Sequence, residues 1–298
     1  VKIRVFWRLI KESFKEYNKD KVSRLAAALS YYTIFSLAPL LIIAIAIAGF
    51  FFGEEAAKGQ IVFQLQGLLG KDGAEVIQLA IENAAKPSNN GLFASLVSIA
   101  ILLFGASGVF TELQDALNTV WEVKPKSNLG FTQLIRKRFL SFAMVLVIGF
   151  LLLVSLLISA LLTGISNYTI SLLPGNDLIW QIINNIFSFS VITLLFAMIF
   201  KFLPDVTITW GDVSVGAIIT ALLFVLGKSL IGLYLGNNSF SSTYGAAGSI
   251  IIVLVWTYYS AQILFFGAEF TQVYARKYGS QILPDKNAVQ VPNSKDYS

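Results

Sequence analysis

The chain contains no histidine and no cysteine. The first absence removes an imidazole general acid or base, and the two together remove Cys-His dyads, zinc sites with nitrogen or sulfur ligands, and any disulfide framework. Charge is scarce as well. Only 13% of the 298 residues are charged, against about 25% in soluble domains. A G-x-x-x-x-G-K-[ST] loop is also missing, so ATP hydrolysis on a P-loop is not expected, and no cofactor is implied. What is present is apolar: 56% hydrophobic residues and a mean hydropathy of +0.71. These values describe an integral membrane protein. The formal charge of +5 does not point to nucleic acid, because most Lys and Arg flank apolar spans, where they set topology and meet anionic headgroups.

The stretch from Gly245 to Tyr278 organises the rest. It opens with small residues, stays apolar for about the 20 residues of a bilayer crossing, and ends in Arg276 and Lys277. Its interior holds Trp256, Tyr258, Tyr259, Ser260, Gln262 and Glu269. Hydrocarbon cannot satisfy those polar atoms, so this helix is expected to face protein or water.

Earlier in the chain, Ile3, Phe6, Trp7, Ile10, Phe14 and Tyr17 recur at helical spacing among Arg4, Arg8, Lys11, Lys15 and Lys19. Residues 1–24 thus read as a basic amphipathic helix on the inner membrane surface or packed on the inner end of the bundle. A first span from Leu25 to Phe52 is too long for a cleavable signal and carries Pro39, which marks a kink whose freed carbonyls Thr33 and Ser36 are placed to re-satisfy. Residues 53–90 show two short amphipathic patterns separated by Gly70-Lys71-Asp72-Gly73, which predict a helical hairpin capping the outer face. Further spans are expected at 92–110, 139–163, 179–203 and 212–235, the last with Gly232 and Gly236 spaced as GxxxG. Residues 25–278 therefore form a domain of six spans, and the polar tail 279–298, with Pro284 and Pro292, reads as disordered. The proposed outer segments hold only Lys58, Lys71 and Lys86 as basic residues, which puts both termini in the cytoplasm.

Several segments resemble the YihY/BrkB family of six-span bacterial inner-membrane proteins. They are Ala26-Ala27-Ala28-Leu29-Ser30-Tyr31-Tyr32-Thr33-Ile34-Phe35-Ser36-Leu37-Ala38-Pro39-Leu40, then Leu117-Asn118-Thr119-Val120-Trp121, and Trp256 to Thr271, WTYYSAQILFFGAEFT. The resemblance implies a bacterial cytoplasmic-membrane protein with its termini inside. Members have carried a ribonuclease label, and others are tied to serum resistance or to export of lipid precursors.

Two groups of side chains are candidate sites. Lys228, the one basic residue inside a span, either snorkels to the headgroups or joins Asn184 and Asn185 in a polar cavity suited to an anionic group. Nearer the inner boundary lie Glu112, Asp115, Asp212 and Glu269, with Gln262, Tyr258, Tyr31 and Tyr32 deeper. Glu269, Glu112 and Asp115 are candidates for proton or ion relay; the structural alternative pairs these acids with Arg24, Lys201 or Arg276 or uses them as helix caps. The acids lack the spacing of a magnesium site, so no metal and no catalytic residue is assigned.

The expectation is an all-α polytopic bundle of six transmembrane helices with an outer hairpin cap and an amphipathic N-terminal helix. Its first functional reading is a permease or flippase-like transporter for an anionic or amphipathic envelope component, with Lys228, Asn184, Asn185, Gln262 and Tyr258 as substrate-binding candidates. A scaffold that organises envelope proteins and a membrane-bound enzyme are the alternatives. Membrane lipids are the expected partners, a second copy of the chain and envelope proteins at the cap are further candidates, and nucleic acid is not expected.

Overall fold

The computed structural model describes residues 3–84, 91–126, 177–237, 246–280 and 282–291. Helix α1 (Ile3–Lys19) is followed by α2 (Val22–Phe52), α3 (Glu54–Ala84), α4 (Gly91–Val120) and strand β1 (Val123–Pro125). Then come α5 (Asp177–Phe202), β2 (Val206–Thr207), α6 (Trp210–Asn237), α7 (Ala246–Tyr278), β3 (Leu283–Pro284) and β4 (Ala288–Gln290). The span expected at 139–163, the end of the expected cap at 85–90 and the packing around Gly232 and Gly236 lie outside the described residues.

Among the described residues, four helical stretches are long and apolar enough to cross a membrane: Val22–Ala46, Leu178–Phe202, Trp210–Ile231 and Ile250–Tyr278. Their outward faces fit that reading. Leu178, Ile179, Ile182, Ile183 and Ile186 on α5 are exposed at helical spacing, as are Leu222, Leu226 and Leu230 on α6. Such stripes are a liability in water but match acyl chains.

The core of the bundle is where α2, α4, α5, α6 and α7 meet. Val22 and Ala26, Leu117 and Val120, Phe200, Val213 and Ala217, and Phe265 and Ala268 are buried together there. Small residues let α6 and α7 approach closely. Thr220 Oγ1 donates to the carbonyl of Gly216 on its own helix, and Thr271 Oγ1 does the same to Gly267. Each threonine also fills the space beside the other helix's glycine, so that a Cβ on Gly216 would overlap Thr271 and one on Gly267 would overlap Thr220. Helix α1 lies along α7, with Leu9 buried against Phe270 and Val273 and with Phe14 and Phe266 ring centroids 5.6 Å apart.

Pro39 sits inside a continuous α2. Ser36 Oγ does not return to its own helix but donates to the carbonyl of Gly105 on α4 at 2.5 Å, and Thr33 Oγ1 goes to Leu29. Neither hydroxyl serves the carbonyl of Phe35, the one that proline at position 39 frees: Thr33 reaches back to Leu29, six residues before it, and Ser36 turns to α4. The expected local repair is thus replaced by a bond between helices.

Residues 54–84 do fold back on themselves. Helical backbone runs from Glu54 to Ala84, yet Lys58 Nζ lies 3.3 Å from Glu82 Oε1, where a straight helix would set the two residues about 36 Å apart. The chain therefore reverses between them, where Gly70-Lys71-Asp72-Gly73 stands, and α3 is two arms. Ala57 and Ile61 of one arm and Ala74, Ile77 and Ile81 of the other are buried, and the isoleucines join Ile45 of α2 and Ile252 and Val253 of α7 in a second cluster. That cluster lies at the end of the bundle away from α1. The expectation of a disordered tail over 279–298 is corrected. β4 pairs antiparallel with β1 (Lys124 opposite Val289), and β3 pairs antiparallel with β2 (Val206 opposite Pro284). Backbone bonds from Lys126 to Asn287, from Asp285 to Asp205 and from Val291 to Glu122 extend the clasp. The tail finds, on two distant loops, the ladder partners that no local pattern supplies.

Candidate functional site

Helix α7 carries a line of polar side chains on one face. At about 100° per residue, Tyr258, Gln262, Glu269, Gln272 and Arg276 fall within about 40° of one direction, and they span about 27 Å along the axis. Phe265 interrupts the line at its middle and is fully buried. Glu269 and Gln272 are buried as well, and neither carboxylate oxygen of Glu269, nor Nε2 of Gln272, has a hydrogen-bond partner among the described residues. A carboxyl group in this position inside an apolar span is expensive and is a functional candidate by default.

Helix α1 brings the counterpart. Tyr17 donates from its hydroxyl to Gln262 Oε1 at 3.0 Å. Glu16, Lys19 and Asp20 follow at the end of α1, and with Arg276 they are the charged groups within electrostatic reach of Glu269. Lys19 Nζ bonds Glu16 at 2.9 Å and Glu122 at 2.8 Å, while Arg276 also pairs with Glu122. Glu122 thus ties the end of α1 to the end of α7 from the turn after α4, where it adopts a left-handed backbone with φ 54°. Burial opposes ionisation of Glu122, but the Lys19 hydrogen bond and the Arg276 charge outweigh it and hold its carboxyl below the usual range. For Lys19, burial is likewise outweighed by Glu122 and Glu16, and its ammonium is held above its ordinary value. Asp20 differs. Burial is the largest influence, Lys19 only partly offsets it, Glu122 and Glu16 add repulsion, and the carboxyl is pushed up to about 6. An acid that changes charge near neutrality therefore stands within electrostatic reach of Glu269.

The structure groups some of the sequence candidates and separates others. Tyr258, Gln262 and Glu269 share the α7 face. Lys228 is exposed on α6, between exposed Leu226 and Leu230, and Asn185 is exposed on α5. Asn184 is half-buried, with a buried Oδ1 that lacks a partner. Glu112 on α4 is half-buried beyond the apolar part of that helix, and burial, then the Asp115 charge, pushes its carboxyl upward. Asp212 accepts from Thr209 Oγ1 at 2.8 Å and from the backbone and hydroxyl of Ser280, so it joins the start of α6 to the end of α7. Lys201, named as a partner for such acids, instead donates to the Ile208 carbonyl. Sequence reasoning did not single out Tyr17, Asp20, Glu122 or Gln272 as members of a site. The spacing of Gln262, Glu269, Gln272 and Arg276 on one helical face was the available signal; nothing in the sequence announced that α1 would cover it.

The match to known proteins takes in this end of the bundle along with nearly all the rest. The pattern of the family described as Virulence factor BrkB matches residues 13–291. The chain belongs to the BrkB family. It is 28% identical over 269 residues to a UPF0761 membrane protein of Albidiferax ferrireducens, covering 88% of this chain and 61% of that relative. It is 26% identical over 272 residues to one of Verminephrobacter eiseniae, covering 89% and 62%. A third, from Psychromonas ingrahamii, is 28% identical over 277 residues, covering 91% and 88%. The chain thus spans about three fifths of the length of the first two of these relatives. No solved structure matches it. The shared names say membrane protein and carry no enzymatic activity, and among the described residues no three acidic side chains gather as a metal site.

Proposed function

We propose that this BrkB-family chain is a permease of the bacterial cytoplasmic membrane that moves an anionic or amphipathic envelope component without hydrolysing ATP. In this reading both termini are cytoplasmic, and Glu269 carries a proton or cation during the cycle. The observation that supports it most is the buried, unpartnered carboxyl of Glu269 within the polar line of α7. A packing residue at that position gains nothing from a carboxyl, whereas a group that exchanges an ion between two arrangements of the helices needs one. Tyr17, Gln262 and Asp20 extend the polar line toward the α1 end.

The test is reconstitution in liposomes containing a fluorescent phosphatidylglycerol, with transbilayer movement read by dithionite quenching. Wild-type protein is expected to accelerate movement over empty liposomes, and Glu269→Gln, reconstituted at equal density, to lower that rate at least tenfold. Wild type at the protein-free rate, or Glu269→Gln at the wild-type rate, overturns the reading for this lipid class. One observation favours a second reading, a scaffold for envelope proteins: Phe63 and Leu79 of α3 are exposed outside the spans.

A further inference from the structure

Where the tail crosses back over the bundle it roofs a cavity of about 340 Å³. Its walls include Trp121 at the end of α4, Val123 of β1, Arg276 near the end of α7, Leu283 and Pro284 of β3, and Gln290 of β4. The cavity lies beyond the apolar length of α7 and meets the polar line of that helix only at its last member, Arg276. Three features of it are unlike an ordinary packing gap. Trp121 is buried, with 2% exposure, yet its indole N–H has no acceptor among the described residues. Buried indole N–H groups nearly always find one, since leaving a donor unpaired forfeits its hydration. Arg276 uses Nη2 for Glu122, and a guanidinium has further N–H donors in its planar fork. Outside, Lys124, Lys126 and Lys286 are exposed on β1 and the turn before β4, and Asp285 is the one exposed acid on those two segments.

We propose that this cavity is a binding site for a small organic anion, a phosphate monoester or carboxylate carried on a flat apolar body. The acid group accepts from the Trp121 indole and the Arg276 guanidinium, and the body lies against Val123, Leu283 and Pro284. A neutral apolar guest leaves both donors unpaired, and an inorganic anion leaves the apolar walls wet; the mixed lining selects a molecule with both parts. The exposed lysines of the roofing segments raise the local concentration of anions. The two antiparallel strand pairs form the roof, so the guest also bridges the two loops that the tail clasps. The same chemistry is presented by a free solute or by the phosphomonoester headgroup of a lipid.

The experiment uses the full chain in detergent with 1-naphthyl phosphate and 1-naphthoate as probes and with 1-naphthol and inorganic phosphate as controls. Binding is read by thermal shift and by displacement of probe fluorescence. At least one of the two acids is expected to bind saturably, at least tenfold tighter than 1-naphthol or phosphate alone. Replacement of Trp121 by 3-benzothienylalanine keeps the bicyclic ring, with sulfur where the N–H stands, and removes only the unpaired donor. It should leave the melting temperature of the free protein unchanged or raised while weakening the probe three- to tenfold. A residue with a purely structural role cannot produce that combination. Arg276→Gln should weaken the probe at least tenfold, and because it also breaks the Glu122 pair, its own melting temperature is recorded beside it. Nanodiscs with phosphatidate that displace the probe, where phosphatidylcholine nanodiscs do not, identify the lipid source; no displacement identifies a free solute. Saturable binding of neither acid, equal binding of 1-naphthol, or undiminished binding by the benzothienylalanine variant overturns the proposal.

Discussion

Thr220 of α6 occupies the space that a side chain on Gly267 of α7 would need, and its hydroxyl at the same time serves the carbonyl of Gly216 four residues back. Thr271 and Gly216 repeat the arrangement with the helices exchanged. Gly267→Ala is therefore expected to cost about 1–3 kcal/mol, the usual penalty of overpacking. Thr220→Ala in the same chain should recover part of it, since the clash is removed with the methyl and hydroxyl. Melting of the single and double variants in detergent measures the coupling; additive losses contradict the contact.

Asp20 gives a pH dependence with a definite sign. Its carboxyl is pushed up to about 6 in the folded protein from an ordinary value of 3.8, so the folded state holds its proton more tightly than the unfolded chain. This group's contribution falls as pH rises through that window, and the penalty is complete above about 6. Asp20→Asn should melt with wild type near pH 4 and above it at pH 7. Glu122 acts the other way: its lowered carboxyl adds stability above the ordinary glutamate range and loses it as pH falls through the folded value. Glu122→Gln should consequently destabilise at pH 7 and be nearly neutral in strong acid.

For Lys228 the exposed setting between Leu226 and Leu230 leads to a simple expectation. Lys228→Met should complement a deletion strain at equal membrane level and melt at or slightly above the wild-type temperature, because it removes a charge beside hydrocarbon. Loss of function with the fold intact would instead assign the ammonium to a substrate path.

Topology is accessible because the chain lacks cysteine, so each introduced thiol reports alone. A cysteine in place of Asn89 should react with an impermeant maleimide in intact cells, and one in place of Lys286, exposed in the turn between β3 and β4, only after permeabilisation. The opposite pattern reverses the orientation proposed above.

Much of the bundle was legible because a span needs a run of apolar residues, and hydropathy reads runs. The helices at Val22–Phe52, Asp177–Phe202, Trp210–Asn237 and Ala246–Tyr278 were all visible in that way. What failed depended on partners far along the chain. The reversal at Gly70 to Gly73, which brings Lys58 to Glu82, was legible as a local break, but not which isoleucines of its two arms would join Ile45, Ile252 and Val253. The tail reads as polar and proline-bearing, yet Ala288–Gln290 finds its ladder at Val123–Pro125. On α1 the aromatics Phe14 and Tyr17 do meet α7, but the fully buried positions are Leu9 and Ser13, and Trp7 stays 66% exposed. In the site, Glu269 and Gln262 could be named from their residue type and depth. Tyr17 and Asp20 could not, because which face of α7 the first helix covers is decided by packing.

The clasp at the chain's end bears on how the helices can move. One short segment, Leu283 to Val291, is bonded both to the turn after α4 and to the corner between α5 and α6. Those helices are thereby hobbled at the α1 end: to part there they must unzip two ladders and the pairs around Glu122 as well. At the opposite end, the contact of α3 with α2 and α7 rests on the apolar cluster of Ile61, Ile77 and Ile81. Apolar surfaces slide over one another with less loss than directional bonds suffer when stretched. The bundle is thus held by directional bonds at one end and by apolar contact at the other, so the rocking that a permease requires would pivot beside Arg276.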